Sequence, residues 1–234
     1  MTGKSSRGSS RDEILRVFAE HVADRGYADT SFGDVATELN LSKGTIVHHF
    51  GSKEALLGEV HVAYFTRRFA EADHIRAELT DPVSRLIAMI YALLAAHRDD
   101  RAASLACLRE LVRYFEGDLT EYVRRQRVSY TGIMVEILRD GVRDGVFHTT
   151  DPQMSAMQIF GMCNYAWTWY RPDGPQSVEQ IARLFAENIL RGLVGGTLRD
   201  QPNLDVVITH AIETVRAAPG RLPATAPRRS AVAV

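Results

Sequence analysis

Apolar residues recur every three or four positions along most of the chain, a spacing that predicts α-helices. The first predicted helix runs from Arg11 to Arg25, and Gly26 is placed to end it as a C-cap glycine. Its apolar positions are Ile14, Leu15, Val17, Phe18, Ala19 and Val22. These residues lie on one side of a helix, so that side is expected to be buried.

Two short helices are predicted next. Ser31 and Asp34 have the spacing of a capping box that starts the second helix, and Ser42 is placed to cap the third, which stops at Gly51. Asn40 tolerates the left-handed conformation that a tight turn between them requires. Two short helices joined by such a turn are typical of a helix-turn-helix, whose second helix enters the DNA major groove.

The rest of the chain also reads as helices. Predicted spans are Ser52 to about Ile75, then 83–97, 101–115, 119–142, 152–170, 177–194 and 203–217. Asp81-Pro82 and Asp151-Pro152 are typical helix starts, and Ser177 with Gln180 is a second capping box. The expected fold is all-α, with an N-terminal three-helix helix-turn-helix domain followed by a C-terminal helical ligand-binding and dimerisation domain. Expected boundaries are 1–10 (disordered basic arm), 11–56, 57–218 and 219–234 (disordered tail).

Charge and composition narrow the function only slightly. The chain has 234 residues and a net charge of −1, and residues 1–53 hold seven Lys/Arg against seven Asp/Glu. DNA binding is therefore predicted from the placement of particular side chains and not from bulk charge. The only cysteines, Cys107 and Cys163, lie in apolar segments and are expected to be buried thiols. With neither a signal peptide nor a membrane-length apolar run, the protein is expected to be soluble and cytoplasmic.

Three segments carry a family resemblance: Thr-Ser-Phe-Gly-Asp-Val-Ala at 30–36, Leu-Ser-Lys-Gly-Thr-Ile at 41–46, and His-Phe-Gly-Ser-Lys-Glu-Ala-Leu-Leu at 49–57. In order and spacing they resemble the DNA-binding domain of the TetR family of bacterial transcriptional regulators. The resemblance implies a double-stranded DNA operator as partner, and DNA-binding roles for Ser31, Ser42, Lys43, Gly44, Thr45, Val47, His48, His49 and Lys53. Gly44 and Thr45 match positions near base edges, whereas Ser31, His49 and Lys53 match phosphate contacts.

Two positions depart from the family pattern. Val47 stands where the family usually has tyrosine, and a valine can touch a thymine methyl group but cannot donate to a phosphate. Gly33 replaces a side chain that often reaches the DNA. Other interpretations stay open: Gly44 as a small residue for close helix packing, His48 and His49 as metal ligands, and Lys53 as a solvated lysine. No metal and no cofactor are expected.

The predicted helices 152–170 and 177–194 are each apolar on more than one side. This pattern predicts that both helices are buried on several sides. The resemblance implies that this pair forms a four-helix bundle in a homodimer, and a dimer reads two half-sites. The interface residues expected on this basis are Phe160, Trp167, Ile181, Leu184, Phe185 and Ile189.

An effector chamber is expected between the helices of residues 55–170. Its predicted lining is Phe65, Phe69, Met89, Leu93, Arg109, Val112, Arg113, Tyr130, Met134 and Asn164. The segment at 167–174 is Trp-Thr-Trp-Tyr-Arg-Pro-Asp-Gly. It is similar to the C-terminal part of TetR-type regulators that sense acyl-CoA thioesters and control fatty-acid or steroid catabolism. We therefore expect a repressor released by a small hydrophobic effector or acyl-CoA. The alternative effector is a hydrophobic xenobiotic, as in regulators of efflux.

Two other function classes remain alternatives. An enzyme would need a nucleophile with its base, or a metal set, and the scattered histidines share neither at motif spacing. A helical scaffold that does not bind DNA would tolerate the loss of Lys43, Thr45 and Lys53. No membrane partner is expected.

Overall fold

The computed structural model describes residues 6–110, 117–194 and 204–219, and side chains within 11–109, 120–194 and 205–219. Within these ranges the chain is all-α, as predicted, and contains no strand. The helices are α1 (Ser6–Arg25), α2 (Phe32–Glu38), α3 (Lys43–Phe50), α4 (Lys53–Glu78), α5 (Pro82–Asp99), α6 (Arg101–Glu110), α7 (Gly117–Arg143), α8 (Pro152–Asn164), α9 (Val178–Leu193) and α10 (Leu204–Arg216). A 3-10 turn, Tyr165–Thr168, follows α8.

Four of the predicted helix caps are confirmed. Ser31 and Ser177 each form a complete capping box, with Asp34 and Gln180 respectively. Aspartate residues cap α5 and α8, and a proline opens each of these helices. These caps use residues within three positions of one another, which explains why sequence spacing alone located them.

Two helix ends differ from the prediction. Helix α1 begins at Ser6 and not at Arg11, so residues 6–10 of the predicted disordered arm are helical. They extend a helix whose apolar side is already fixed by packing. Helix α8 ends at Asn164 and not at Tyr170, because the backbone tightens into the 3-10 turn, in which Trp169 N donates to Ala166 O at 3.2 Å. Residues 1–5, 111–116, 195–203 and 220–234, including the predicted tail, lie outside the described residues.

The first of two compact units comprises the chain up to Thr66 together with Arg101–Val128. It contains α1, α2, α3, the first half of α4, α6 and the start of α7. Helix α6 packs along α1, and Ile14, Val17 and Phe18 are buried. The unit that holds the helix-turn-helix is therefore larger than the segment 11–56 expected from sequence.

The second unit comprises Arg67–Asp100 and the chain from Ser129 onward. Helix α5 is its centre, with nearly every side chain buried, and α8, α9 and α10 pack against it. Arg98 of α5 and Arg216 of α10 both donate to Glu179 of α9, at 3.0 and 2.6 Å. Burial raises the pKa of Glu179, but these hydrogen bonds outweigh it and lower the pKa to about 2. The carboxylate thus links three helices.

Both cysteines are buried free thiols, as predicted. Burial raises the pKa of the Cys163 thiol to about 12. Such a thiol stays protonated near neutral pH, which suits a packing role.

Candidate nucleic-acid interface

Helices α2 and α3 form the predicted helix-turn-helix. Helix α2 gives way to a turn at Leu39, Asn40 has φ 53°, and Leu41 N donates to Ala36 O at 2.8 Å. Asn40 is the one non-glycine residue with positive φ in the described part of the chain, as expected for the turn. Ser42 then caps α3 through Thr45 N.

Helix α3 has one buried and one exposed side. Ile46 and Phe50 are buried and fix the helix on the unit, as predicted. Residues 43, 44, 47 and 48 are exposed, and Thr45 and His49 are half-buried. The exposed positions are spaced one and four apart, so they share a face. The structure therefore brings Lys43, Gly44, Val47 and His48 together on one solvent-facing surface, and Thr45 and His49 are only partly exposed.

Gly44 is not required by packing within the chain. A Cβ atom built at this position would meet only Ser42 Oγ, at the ordinary contact distance of 3.6 Å. The interpretation of Gly44 as a spacer for close helix packing is therefore not supported. An exposed glycine in the first turn of α3 leaves room for another molecule to approach the backbone.

Ser42 and Thr45 position each other. Ser42 Oγ accepts from Thr45 N at 3.0 Å and lies 2.8 Å from Thr45 Oγ1. The capping role of Ser42 thus also orients the Thr45 hydroxyl at the N-terminal end of α3, the end from which recognition helices contact bases.

Ser31 is hydrogen-bonded to Asp34. Its Oγ donates to Asp34 Oδ2 at 2.7 Å, and its backbone N donates to the same oxygen at 2.8 Å. The two hydrogen bonds that Ser31 donates are the main reason that the pKa of Asp34 is lowered. The Ser31 hydroxyl would have to turn away from Asp34 to donate to a phosphate, and its phosphate contact stays a prediction.

Lys53 is also engaged. Its Nζ donates to the backbone oxygens of Tyr27 and Thr30, both at 2.7 Å, and lies 4.2 Å from the centre of the Tyr27 ring. The Tyr27 hydroxyl donates in turn to Glu54 at 2.9 Å. Lys53 is therefore not an ordinary solvated lysine, because it fastens the α1–α2 loop to the start of α4. Its predicted phosphate contact remains a prediction.

Arg11 was missed as a site residue. It stands on α1, and its Nη1 donates to His49 O at 3.3 Å, in the last turn of α3. Its Nη2 forms an ion pair with Glu59 of α4, and its guanidinium lies 4.6 Å from the centre of the Phe50 ring. The contact with His49 joins residues 38 positions apart, so no local spacing reveals it.

The rings of His48 and His49 lie 5.8 Å apart in an edge-to-face arrangement. Across the described residues, no three His, Cys, Asp or Glu side chains are grouped so as to hold a metal ion. Nor does any helix among them combine the length and the apolar run needed to cross a bilayer.

The predicted effector residues fall into separate groups. Phe69, Met89, Leu93, Tyr130, Met134 and Asn164 belong to the second unit. The rings of Phe69 and Tyr130 make an edge-to-face contact, with their centres 5.7 Å apart. The Tyr130 ring makes a second edge-to-face contact with Phe160, whose ring centre is 5.9 Å away. Met89, Leu93 and Met134 are buried in the same unit, and Asn164 is half-buried at the end of α8.

The remaining effector predictions lie elsewhere. Phe65 is buried in the first unit. Arg109, in that unit too, donates from Nη1 to Ala23 O of α1 at 3.0 Å, and its place in the chamber lining stays a prediction. Val112 and Arg113 lie outside the described residues.

The predicted dimer residues divide by exposure. Leu184 is 52% exposed, and Trp167, Phe185 and Ile189 are half-buried. Phe160 and Ile181 are buried within the single chain, and their place in a dimer interface stays a prediction. Periodicity alone could not tell which apolar side of each helix faces its own core. An exposed apolar row on α8 and just past its end consists of Met154, Met157 and Tyr165.

Comparison with known proteins agrees with this geometry. Residues 14–60 match the profile of "Bacterial regulatory proteins, tetR family", and residues 79–193 match "Tetracyclin repressor-like, C-terminal domain". The HTH-type transcriptional repressor KstR2 of Mycolicibacterium smegmatis is 28% identical over 193 residues, which are 81% of this chain and 93% of that protein.

Two solved structures are similar along most of their length. The TetR family regulator PfmR of Thermus thermophilus is 30% identical with a TM-score of 0.71, covering 76% of this chain and 97% of PfmR. AibR in complex with isovaleryl coenzyme A and operator DNA is 25% identical with a TM-score of 0.70, and the match covers 76% of this chain and 96% of AibR. The two profiles match both halves of the chain, and its α2–α3 geometry is that of a helix-turn-helix. This protein therefore belongs to the TetR family of bacterial transcriptional regulators.

Proposed function

We propose that the protein is a homodimeric repressor that binds a palindromic operator through α3 and leaves it when an effector binds. The exposed face of α3 is the observation that carries this proposal. It presents Lys43, Gly44 and the oriented Thr45 hydroxyl at the end of the helix that would enter the major groove. KstR2, a relative along most of this chain, is named as a transcriptional repressor.

The exposed apolar residues of the second unit support a homodimer. Met154, Met157 and Tyr165 are on or next to α8, and Leu184 is on α9; all are more than half exposed in the single chain. Large apolar residues left in water on neighbouring elements mark interaction surfaces. A second copy using the same helices would cover them and present two α3 helices to two half-sites.

The interior of the second unit supports an amphipathic effector such as an acyl-CoA. The ring cluster of Phe69, Tyr130 and Phe160 offers an apolar environment. A cleft of about 390 Å³ opens on α4, α5 and α7, lined by Asp73, Arg76, Ala77, Arg85, Ile133, Glu136, Ile137 and Asp140. Helices α4 and α7 thus contribute to both the apolar cluster and the charged cleft. AibR, similar in fold, was crystallised with isovaleryl coenzyme A.

The effector must favour the state that does not bind DNA, because a ligand with equal affinity for both states shifts nothing. Helix α4 belongs to both compact units, with the division at residues 66 and 67. We propose that the effector displaces α4 and so changes the spacing of the two α3 helices.

Substitutions on α3 test the DNA-reading proposal. Thr45→Ala should reduce discrimination between the preferred duplex and its single-base variants by about 1–3 kcal/mol, because a base contact is lost. Lys43→Ala should weaken binding to all duplexes alike and reduce the slope of log K against log salt by about 0.9. Fluorescence anisotropy with a duplex selected from a random library by the unaltered protein measures both. Unchanged binding by both variants would contradict the proposal.

Effector titrations distinguish the two ligand classes. Acyl-CoAs should release the chain from its duplex, whereas the matching free acids and coenzyme A alone should not. Arg76→Gln should raise the acyl-CoA concentration for half release about tenfold, the size of one lost charged contact, without changing DNA affinity in its absence. Arg124→Gln is the control, because Arg124 is exposed on α7 and pairs with Glu121, and neither residue lines the cleft. Release by hydrophobic xenobiotics alone would favour an efflux regulator.

A further inference from the structure

The joint between α3 and α4 is only two residues long. It consists of Gly51, with φ 73°, and Ser52, which caps α4 through Ala55 N at 3.1 Å. A Cβ atom built on Gly51 would meet nothing within 4 Å. Backbone hydrogen bonds from Gly51 N to Val47 O and from Ser52 N to Phe50 O, both 2.8 Å, close the end of α3. No side chain packs on the glycine, so contacts from other helices also act on the direction of α3 relative to α4.

Arg11 makes such contacts on both sides of the joint. One guanidinium nitrogen donates to His49 O in the last turn of α3, and another pairs with Glu59 on α4. The last carbonyl groups of a helix lack intrahelical partners and carry partial negative charge, so a cation is favourable there. The same guanidinium lies over the ring of the buried Phe50, the final residue of α3.

A planar guanidinium is well suited to this task. Its N–H groups point in fixed directions, so a carbonyl of α3 and a carboxylate of α4 that bind the same group are held at a defined angle. The side chains of Arg11 and Glu59 are 38% and 37% exposed. The ion pair therefore contributes little to overall stability, and its effect is on geometry.

We propose that Arg11 is a positioning residue for DNA recognition, which sets the orientation of α3 without touching DNA. Helix α3 has eight residues and is about 12 Å long, so a rotation of about 10° at its C-terminal end moves its first residues by roughly 2 Å. Those residues include Lys43 and Gly44. A shift of that size misaligns base contacts, whereas contacts with the phosphates tolerate it better.

The inference rests on the proposed DNA-reading function, and its test separates the two. The probes are a duplex selected from a random library by the unaltered protein and a scrambled duplex of the same length. Arg11→Gln is expected to lower affinity for the selected duplex about tenfold. Affinity for the scrambled duplex and the salt slope should stay unchanged. Arg16→Gln is the matched control, because Arg16 is an exposed arginine of α1 whose ion pair, with Glu20, stays within that helix.

Arg11→Lys covers the case in which the glutamine variant does not fold. A lysine keeps the charge but not the fixed fork, so its ratio of selected to scrambled affinity should fall between those of the unaltered protein and the glutamine variant. Full discrimination by Arg11→Lys or by Arg11→Gln overturns the proposal. Equal losses on both duplexes, with a salt slope lower by about 0.9, would instead identify Arg11 as a direct phosphate contact. If the unaltered protein selects no duplex, the proposed function itself fails.

Discussion

Leu184→Glu is expected to convert the protein into a monomer and to weaken operator binding at least about hundredfold. Leu184 is 52% exposed on α9. In the proposed dimer interface, a carboxylate at this position would be buried without a partner. Once the two copies separate, each α3 binds one half-site alone, and the gain of about 10²- to 10⁴-fold from linking two binding events is lost.

Light scattering measures the mass of the variant, and anisotropy measures its affinity for the selected duplex. Val206→Glu is the matched control, because Val206 is 61% exposed on α10, outside the proposed interface. It should change neither measurement. A Leu184→Glu variant that remains a dimer would contradict the proposed interface, and a monomer with full affinity would contradict reading by two half-sites.

The second large effect is a loss of stability in mild acid through His61. This histidine of α4 is 1% exposed, and its Nδ1 lies 3.1 Å from Leu57 O. Burial, reinforced by the positive charge of Arg127, lowers its pKa from 6.5 to about 4. Between these two values the unfolded chain binds a proton that the folded chain does not. Stability is therefore complete above pH 6.5 and falls, by up to about 3 kcal/mol, as the pH drops to 4.

Urea unfolding at pH 7 and pH 5 tests this expectation. The His61 imidazole should account for a fall of about 2 kcal/mol in the free energy of unfolding between pH 7 and pH 5. His61→Gln should remove this fall, whatever the substitution does to stability at pH 7. His210→Gln is the control, because His210 is exposed on α10 and should leave the pH dependence unchanged. Equal pH dependence in the unaltered protein and His61→Gln would rule out His61 as the source.

Local signals predicted the first part of the molecule well. The capping serines, the left-handed Asn40 and the buried Ile46 depend on neighbours within a few residues, and the structure confirms them. The exposed α3 surface followed from these signals, because two buried positions on a short helix determine which side is free.

Contacts between residues far apart in the sequence could not be predicted from the spacing of residue types along the chain. Lys53 meets the backbone of Tyr27 and Thr30, and Arg11 meets α3 and α4, only after the chain has folded. Phe160 shows the same difficulty in the core, because its helix is apolar on several sides and only packing decides that it meets Tyr130. The position of caps is a local property, whereas the partner of a long side chain is a tertiary one.

The first compact unit is built from two separate stretches of the chain. This has a consequence for any transfer of the DNA-reading helices between related regulators. This unit joins the chain up to Thr66 with Arg101–Val128, and α6 covers one side of α1. A gene fragment ending near residue 60 would encode α3 but leave that side of α1 in water. Recombination between relatives would preserve the packing of the DNA-reading helices only if the α6 surface travelled with them or already matched. The structural unit that supports the DNA-reading helices is thus discontinuous in the sequence.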